Sequence, residues 1–195
     1  VLSEIMETPD KGIPEDLIDK AHCIVVVPSM KKGAFLVGAK YGKGFISCRG
    51  ADRKGWTAPG AVRIEGGSVG FQIGGSETDL VLLVMNERGA ERLLGSKFTL
   101  GGEGAVAAGP VGRSATAQTD ARMTAEILSW SKARGVFAGV SLQGATLRED
   151  RKDNAAMYGA ELSNKEIVTS ARPAPEAAAA LMKLLNKYSS QEDRK

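Results

Sequence analysis

The run His22-Cys23-Ile24-Val25-Val26-Val27 is followed by Ala34-Phe35-Leu36-Val37-Gly38-Ala39 and then by Gly44-Phe45-Ile46-Ser47-Cys48-Arg49. Each run is short, rich in β-branched or aromatic side chains, and bounded by turn-forming residues: Pro28-Ser29, Lys32-Gly33 and Tyr41-Gly42-Lys43. The pattern predicts a meander of short antiparallel strands and decides the fold class. Downstream, residues 61–64, 68–73 and 79–85 continue in the same style, and Asn86 offers an N-cap for a short helix ending near Gly95. Strand character returns at 99–108, 115–119, 125–131 and 137–147. Upstream, residues 1–21 carry two short helical pieces separated by Thr8-Pro9-Asp10-Lys11-Gly12.

The C-terminal part is helical. Residues 149–158 form a charged helix, Ser163-Asn164-Lys165-Glu166 is a capping box, and a last helix runs from about Pro175 to Tyr188 with Leu181, Leu184, Leu185 and Tyr188 on one stripe. Helix, many strands, then helices gives an α+β fold: a mainly antiparallel twisted sheet, sandwich or partial barrel, with short N-terminal helices and C-terminal helices packed on it. A length of 195 residues with 43% hydrophobic side chains suits one domain over 1–195, with its core at about 13–188 and a polar tail at 189–195. Aromatics are only 5% and glycines number 24, so small side chains carry much of the packing.

Net charge is +3, but it is unevenly spread. Lys31, Lys32, Lys40, Lys43, Arg49, Arg53, Lys54 and Arg63 face a single acid, Asp52, within 31–63, a local net of +7 that leaves −4 for the rest. Such a segment either attracts phosphate-rich partners or is a solvated charged face. Apolar runs are strand-sized, far short of the ~20 residues of a membrane-spanning helix. The chain opens at Val1, which fits a processed precursor or a trimmed form. Cys23 and Cys48 lie in separate strand-like runs without metal-ligand spacing, so they are either a disulfide between neighbouring strands or two buried thiols. No metal or cofactor is expected.

Enzymatic motifs fail on their partners. Gly66-Gly67-Ser68-Val69-Gly70 has the form of a nucleophile elbow, yet the sole histidine, His22, lies upstream in an apolar strand, whereas hydrolase order puts the base after the serine. A glycine-rich strand or bulge explains it better. Gly38-Ala39-Lys40-Tyr41-Gly42-Lys43-Gly44 is one residue short of a phosphate loop and leads into a strand, so it reads as a hairpin tip presenting Lys40 and Lys43. Glu65, Glu77, Asp79 and Glu103 default to turn capping and solvation. Nucleic acid is not an expected partner, because the basic segment has no interleaved aromatics beyond Tyr41 and Trp56.

The blocks Lys32-Gly33-Ala34-Phe35-Leu36-Val37, Trp56-Thr57-Ala58-Pro59 and Gly67-Ser68-Val69-Gly70-Phe71-Gln72-Ile73-Gly74 resemble the SYLF domain family. So do Thr78-Asp79-Leu80-Val81-Leu82-Leu83-Val84-Met85-Asn86, Phe98-Thr99-Leu100-Gly101-Gly102, Ala108-Gly109-Pro110-Val111-Gly112-Arg113 and the stretch 131–144, in order along nearly the whole chain. The resemblance implies a non-enzymatic module that binds anionic lipid or phosphoinositide-like surfaces, linked to actin in fungi. It also implies, for a stand-alone copy of bacterial type, an exported, periplasmic or envelope-associated and peripheral protein. The N-terminal amphipathic segment of the eukaryotic members is reduced here to residues 1–8, which carry Glu4 and Glu7. Carried onto this sequence, the headgroup contacts are Lys31, Lys32, Lys40, Lys43, Arg49 and Lys54, with Trp56 and Phe35 as apolar anchors unless they are core residues. The alternative is an envelope interaction or scaffold protein that recognises a protein or polymer.

Overall fold

The computed structural model describes residues 1–8, 12–35, 37–68, 76–102, 106–109, 125–133, 136–137 and 142–189. Its strands are β1 (Cys23–Phe35), β2 (Val37–Cys48), β3 (Gly60–Ser68), β4 (Ser76–Val84), β5 (Lys97–Thr99), β6 (Val106–Ala108), β7 (Ile127–Ala133), β8 (Val136–Phe137) and β9 (Thr146–Glu149). They form one curled, half-barrel sheet in the order β5-β9-β3-β2-β1-β4-β7-β6, with β8 also on β7. All pairings are antiparallel except β6 with β7. The helices are α1 (Leu2–Met6), α2 (Glu15–Lys20), α3 (Glu87–Leu93), α4 (Arg151–Tyr158), α5 (Asn164–Thr169) and α6 (Ala179–Ser189). The α+β expectation holds.

Three short strands were expected between His22 and Arg49, and the structure has two long ones. Pro28-Ser29 is a bulge inside β1: the register slips between Val27 and Met30 against β4, and between Val26 and Lys31 against β2. Ser29 takes φ 50°, and its N–H donates to Asp79 Oδ1 at 2.9 Å. A bulge tolerates the missing proline donor that a regular ladder would not. Gly42 and Gly44 sit in β2 opposite this bulge. A Cβ on Gly42 would lie 2.7 Å from Val27 Cγ1, and one on Gly44 would collide with the Val26 carbonyl. These glycines serve close backbone approach, so residues 38–44 are a strand and not a hairpin tip. The chain passes from β1 to β2 at residue 36, outside the described residues.

Other expected strands are shorter than the apolar runs suggest. The stretch 99–108 divides because β5 ends at Thr99 and Gly101, at φ 81°, turns the chain. The stretch 137–147 divides likewise, with Gly144 at φ 78° before β9. Residues 115–119 and 69–73 lie outside the described residues. The expected helices stand where their caps put them. Asn86 accepts from Gly89 N–H, Asp150 from Asp153 N–H, and the capping box of Ser163 and Glu166 is formed on both sides.

Strand alternation divides the core. Val25, Val27, Leu80, Leu82 and Val84 point into the curl with Ile46, Ile64, Phe98 and Leu147. Ile24, Val26, Val81, Leu83, Leu128 and Trp130 point outward and are covered by Leu2 and Ile5 of α1, Leu17 and Ile18 of α2, and Leu185 and Tyr188 of α6. Cys23 and Cys48 face each other across β1 and β2 and are joined by a disulfide. Closing a loop of 25 residues adds about 3 kcal/mol, chiefly by restricting the unfolded chain.

Candidate binding surface

The outward helices stop at β1. Beyond it, among the described residues, the outer face of β2, β3, β9 and β5 carries polar and aromatic side chains that these helices do not cover. Tyr41, Lys43 and Phe45 alternate with buried glycines on β2 and share this face. Tyr41 is 45% exposed and Phe45 37%, the exposed large hydrophobic side chains among the described residues. Lys31 stands across β1 from Tyr41 and is also exposed, and Glu65 stands across β3.

Helix α4 meets this face through its first turn. Lys43 Nζ donates to Asp153 Oδ2 at 2.8 Å and lies 3.4 Å from Asp150 Oδ2. The hydrogen bond to Asp153 is the largest influence raising the Lys43 pKa above its ordinary value. The start of α4 is itself fixed to β3 by two buried asparagines. Asn154 Oδ1 accepts from Ala61 N–H at 2.7 Å, Asn164 Nδ2 donates to the Ala61 carbonyl at 2.9 Å, and Asn154 Nδ2 donates to Asn164 Oδ1 at 2.8 Å. These amides stand in for ladder bonds beyond the end of β9, which keeps buried backbone groups satisfied.

The residues singled out in the sequence separate into two sets. Lys31, Lys43 and Lys54 are exposed, while the Lys32 side chain and that of Phe35 lie outside what is described. Lys40, Arg49 and Trp56 are only 5%, 8% and 9% exposed, so they are not on a surface that a headgroup could reach. Lys40 points into the curl because it lies one residue from outward-facing Tyr41, and strand faces alternate.

Arg49 and Trp56 fasten the C-terminal helix. Arg49 stacks on the Trp56 ring at 3.8 Å, and its guanidinium donates to the carbonyls of Ser189 at 2.7 Å and Ile18 at 2.9 Å, as well as to Ser189 Oγ. Trp56 Nε1 donates to the same Ser189 carbonyl at 2.7 Å, and Ser189 Oγ donates to Asp19. Burial lowers the Arg49 pKa to about 10, against the opposing pull of Asp19, so it stays charged at neutral pH. An arginine here closes the exposed carbonyl end of α6 and ties it to α2.

Ser68 and His22 cannot act together. Ser68 pairs with Gly38, which pairs with Ala34, twelve residues along β1 from His22, or roughly 40 Å at strand rise. His22 instead has Arg53 Nη1 at 2.9 Å from its Nε2. Among the described residues no group of three metal-ligating side chains occurs, and no helix is long and apolar enough to cross a membrane. Sequence reasoning picked out Tyr41 as an aromatic of the basic segment but missed Phe45 as an exposed position; the alternation Tyr-Gly-Lys-Gly-Phe at 41–45 was the available signal.

Comparison with known proteins agrees with the family suggested by the sequence blocks. The family model that matches, over residues 65–188, is Ysc84, described as Las17-binding protein actin regulator. The SH3 domain-containing YSC84-like protein 1 of Rattus norvegicus is 38% identical over 181 residues, 92% of this chain and 53% of its own. The SH3 domain-containing protein PJ696.02 of Schizosaccharomyces pombe is 38% identical over 178 residues, covering 89% and 41%. Protein YSC84 of Saccharomyces cerevisiae is 34% identical over 181 residues, covering 90% and 38%. The chain spans about half the length, or less, of these curated relatives.

Proposed function

Since the chain belongs to the Ysc84 (SYLF) family, we propose that it binds reversibly to anionic membrane surfaces through the outer face of β1 and β2, without chemistry on the lipid. One observation carries this reading: Tyr41 and Phe45 stay exposed on either side of Lys43, with Lys31 across from Tyr41. Aromatic side chains of this kind suit the boundary between headgroups and acyl chains. Each basic side chain at an anionic surface adds about 1 kcal/mol, so exposed Lys31 and Lys54 support weak, salt-sensitive binding. A Cys23–Cys48 bond persists best in an oxidising compartment, which fits an exported or envelope-associated protein.

A protein partner is the second reading, favoured by the acids set among the bases: Glu65 beside Tyr41, Glu77 opposite Lys31 and Asp153 on Lys43. Balanced charge suits a polypeptide better than a uniformly anionic surface. Co-sedimentation with neutral and anionic vesicles at low and physiological salt separates the two. The lipid reading expects anionic vesicles alone to retain the protein, with loss in salt and in the Tyr41→Ser, Phe45→Ser variant. Absence of sedimentation with every vesicle would leave the protein-partner reading in its place.

A further inference from the structure

The strand registers place four cations in a row across the outer face. Lys43 on β2 is directly opposite Arg63 on β3, Arg63 opposite Arg148 on β9, and Arg148 opposite Lys97 on β5. Directly opposed residues share a face, and this face is the one that, among the described residues, α1, α2 and α6 leave uncovered. Like charges set directly across a sheet destabilise it. Four in succession are a local cost that their ion pairs offset only in part among the described residues, and such costs gather at functional sites.

Among the described residues the counter-charges fall short along the row. Lys43 is held by Asp150 and Asp153. Arg63 and Arg148 share the single carboxylate of Glu65, at 3.1 and 3.6 Å. Among the described residues Lys97 has no ion pair. Among the described residues, the β3–β9–β5 end therefore holds three cations against the one acid they pair with, Glu65.

Spacing narrows what could fill the row. Neighbouring strands lie about 4.8 Å apart, so the four cations span roughly 14 Å. On an α-helix, residues three and four apart recur along one face about every 5 Å of axis, whereas same-face residues of an extended peptide recur about every 6.7 Å. At the Lys43 end the row already takes carboxylates from a helix start, since Asp150, the N-cap of α4, and Asp153 in its first turn both reach Lys43.

We infer that the Lys43–Arg63–Arg148–Lys97 row is a docking strip for a protein partner's α-helix bearing Glu or Asp at three- and four-residue spacing on one face. The strip shares Lys43 with the aromatic pair's face and runs away from it over β3, β9 and β5, so Arg63, Arg148 and Lys97 are distinct from the residues of the membrane reading. Its affinity is electrostatic and falls as salt rises.

The test uses the full chain and two labelled Ala-rich helical peptides of equal composition. One carries four Glu residues on one face at three- and four-residue intervals, and the other has them spread around the helix. Fluorescence anisotropy at low salt is expected to show tenfold or tighter preference for the one-faced peptide. That preference is expected to vanish in the Arg148→Gln, Lys97→Gln variant, whose thermal midpoint stays unchanged or rises. The same variant keeps its anionic-vesicle binding, while Tyr41→Ser, Phe45→Ser keeps its peptide binding, so failure of one reading is distinct from failure of the other. Equal binding of the two peptides, no binding of either, or loss of vesicle binding with peptide binding intact in Arg148→Gln, Lys97→Gln would overturn the docking strip.

Discussion

The outer face of one sheet has two halves built on opposite terms. Over β1, β4 and β7, Ile24, Val26, Val81, Leu83, Leu128 and Trp130 are sealed by α1, α2 and α6. Over β2, β3, β9 and β5, the same face carries Tyr41, Lys43, Phe45, Arg63, Arg148 and Lys97, which among the described residues α1, α2 and α6 do not cover. The first half gains stability from burial. The second half gives up burial and accepts opposed like charges, and it is the half to which both proposals assign recognition.

The contrast sets the order of mutational effects. Trp130→Ala, in the covered half, is expected to cost about 3–5 kcal/mol in urea unfolding, since the ring is buried and packed so closely that a Cβ on Gly109 would collide with it. A cost below about 1 kcal/mol would mean that the helices only rest on the sheet. Arg49→Met removes the donors from the Ser189 and Ile18 carbonyls and leaves Asp19 less well paired, a loss of about 3 kcal/mol by the same assay. If Arg49 were a surface contact instead, vesicle binding would fall and stability would not. Tyr41→Ser with Phe45→Ser changes stability by about 0.5 kcal/mol or less for each residue while abolishing anionic-vesicle sedimentation. A stability loss comparable with that of Trp130→Ala would show that the two rings are packed in solution.

The smallest expected effect is one of pH. Burial, followed by the nearby Arg53, holds the His22 pKa below its ordinary value. The unfolded chain therefore binds the proton more readily than the folded one, and stability falls as pH drops below about 6.5. His22→Gln removes this part of the slope just below about pH 6.5, measured by thermal midpoints; an unchanged slope would assign the dependence to the carboxylates.

Much of the fold was legible from local rules. Asn86, Asp150 and Ser163 announce their helices by side-chain chemistry alone, and alternating apolar residues announce the sheet. The strand lengths were not, because Pro28, Gly42 and Gly44 look like turn residues unless the bulge they accommodate is known. The binding surface was legible only in part. Lys31, Lys43 and Lys54 are exposed as expected of a basic segment, but clustering in sequence says nothing of which way a strand residue points. Lys40 and Arg49 were lost to the interior for that reason. The cation row was invisible, since Arg63, Arg148 and Lys97 come from strands far apart in the chain and meet only through register.

Amide chemical-shift mapping with anionic bicelles tests the division of the outer face most directly. The account predicts that the largest shifts and line broadening fall on Lys31 and on residues 41–45, while Val81, Leu83, Leu128 and the residues of α6 stay unperturbed. Perturbation centred on α1 and α6, with Tyr41 and Phe45 unaffected, would contradict it and make the helical cover, rather than the bare sheet, the surface that meets the membrane.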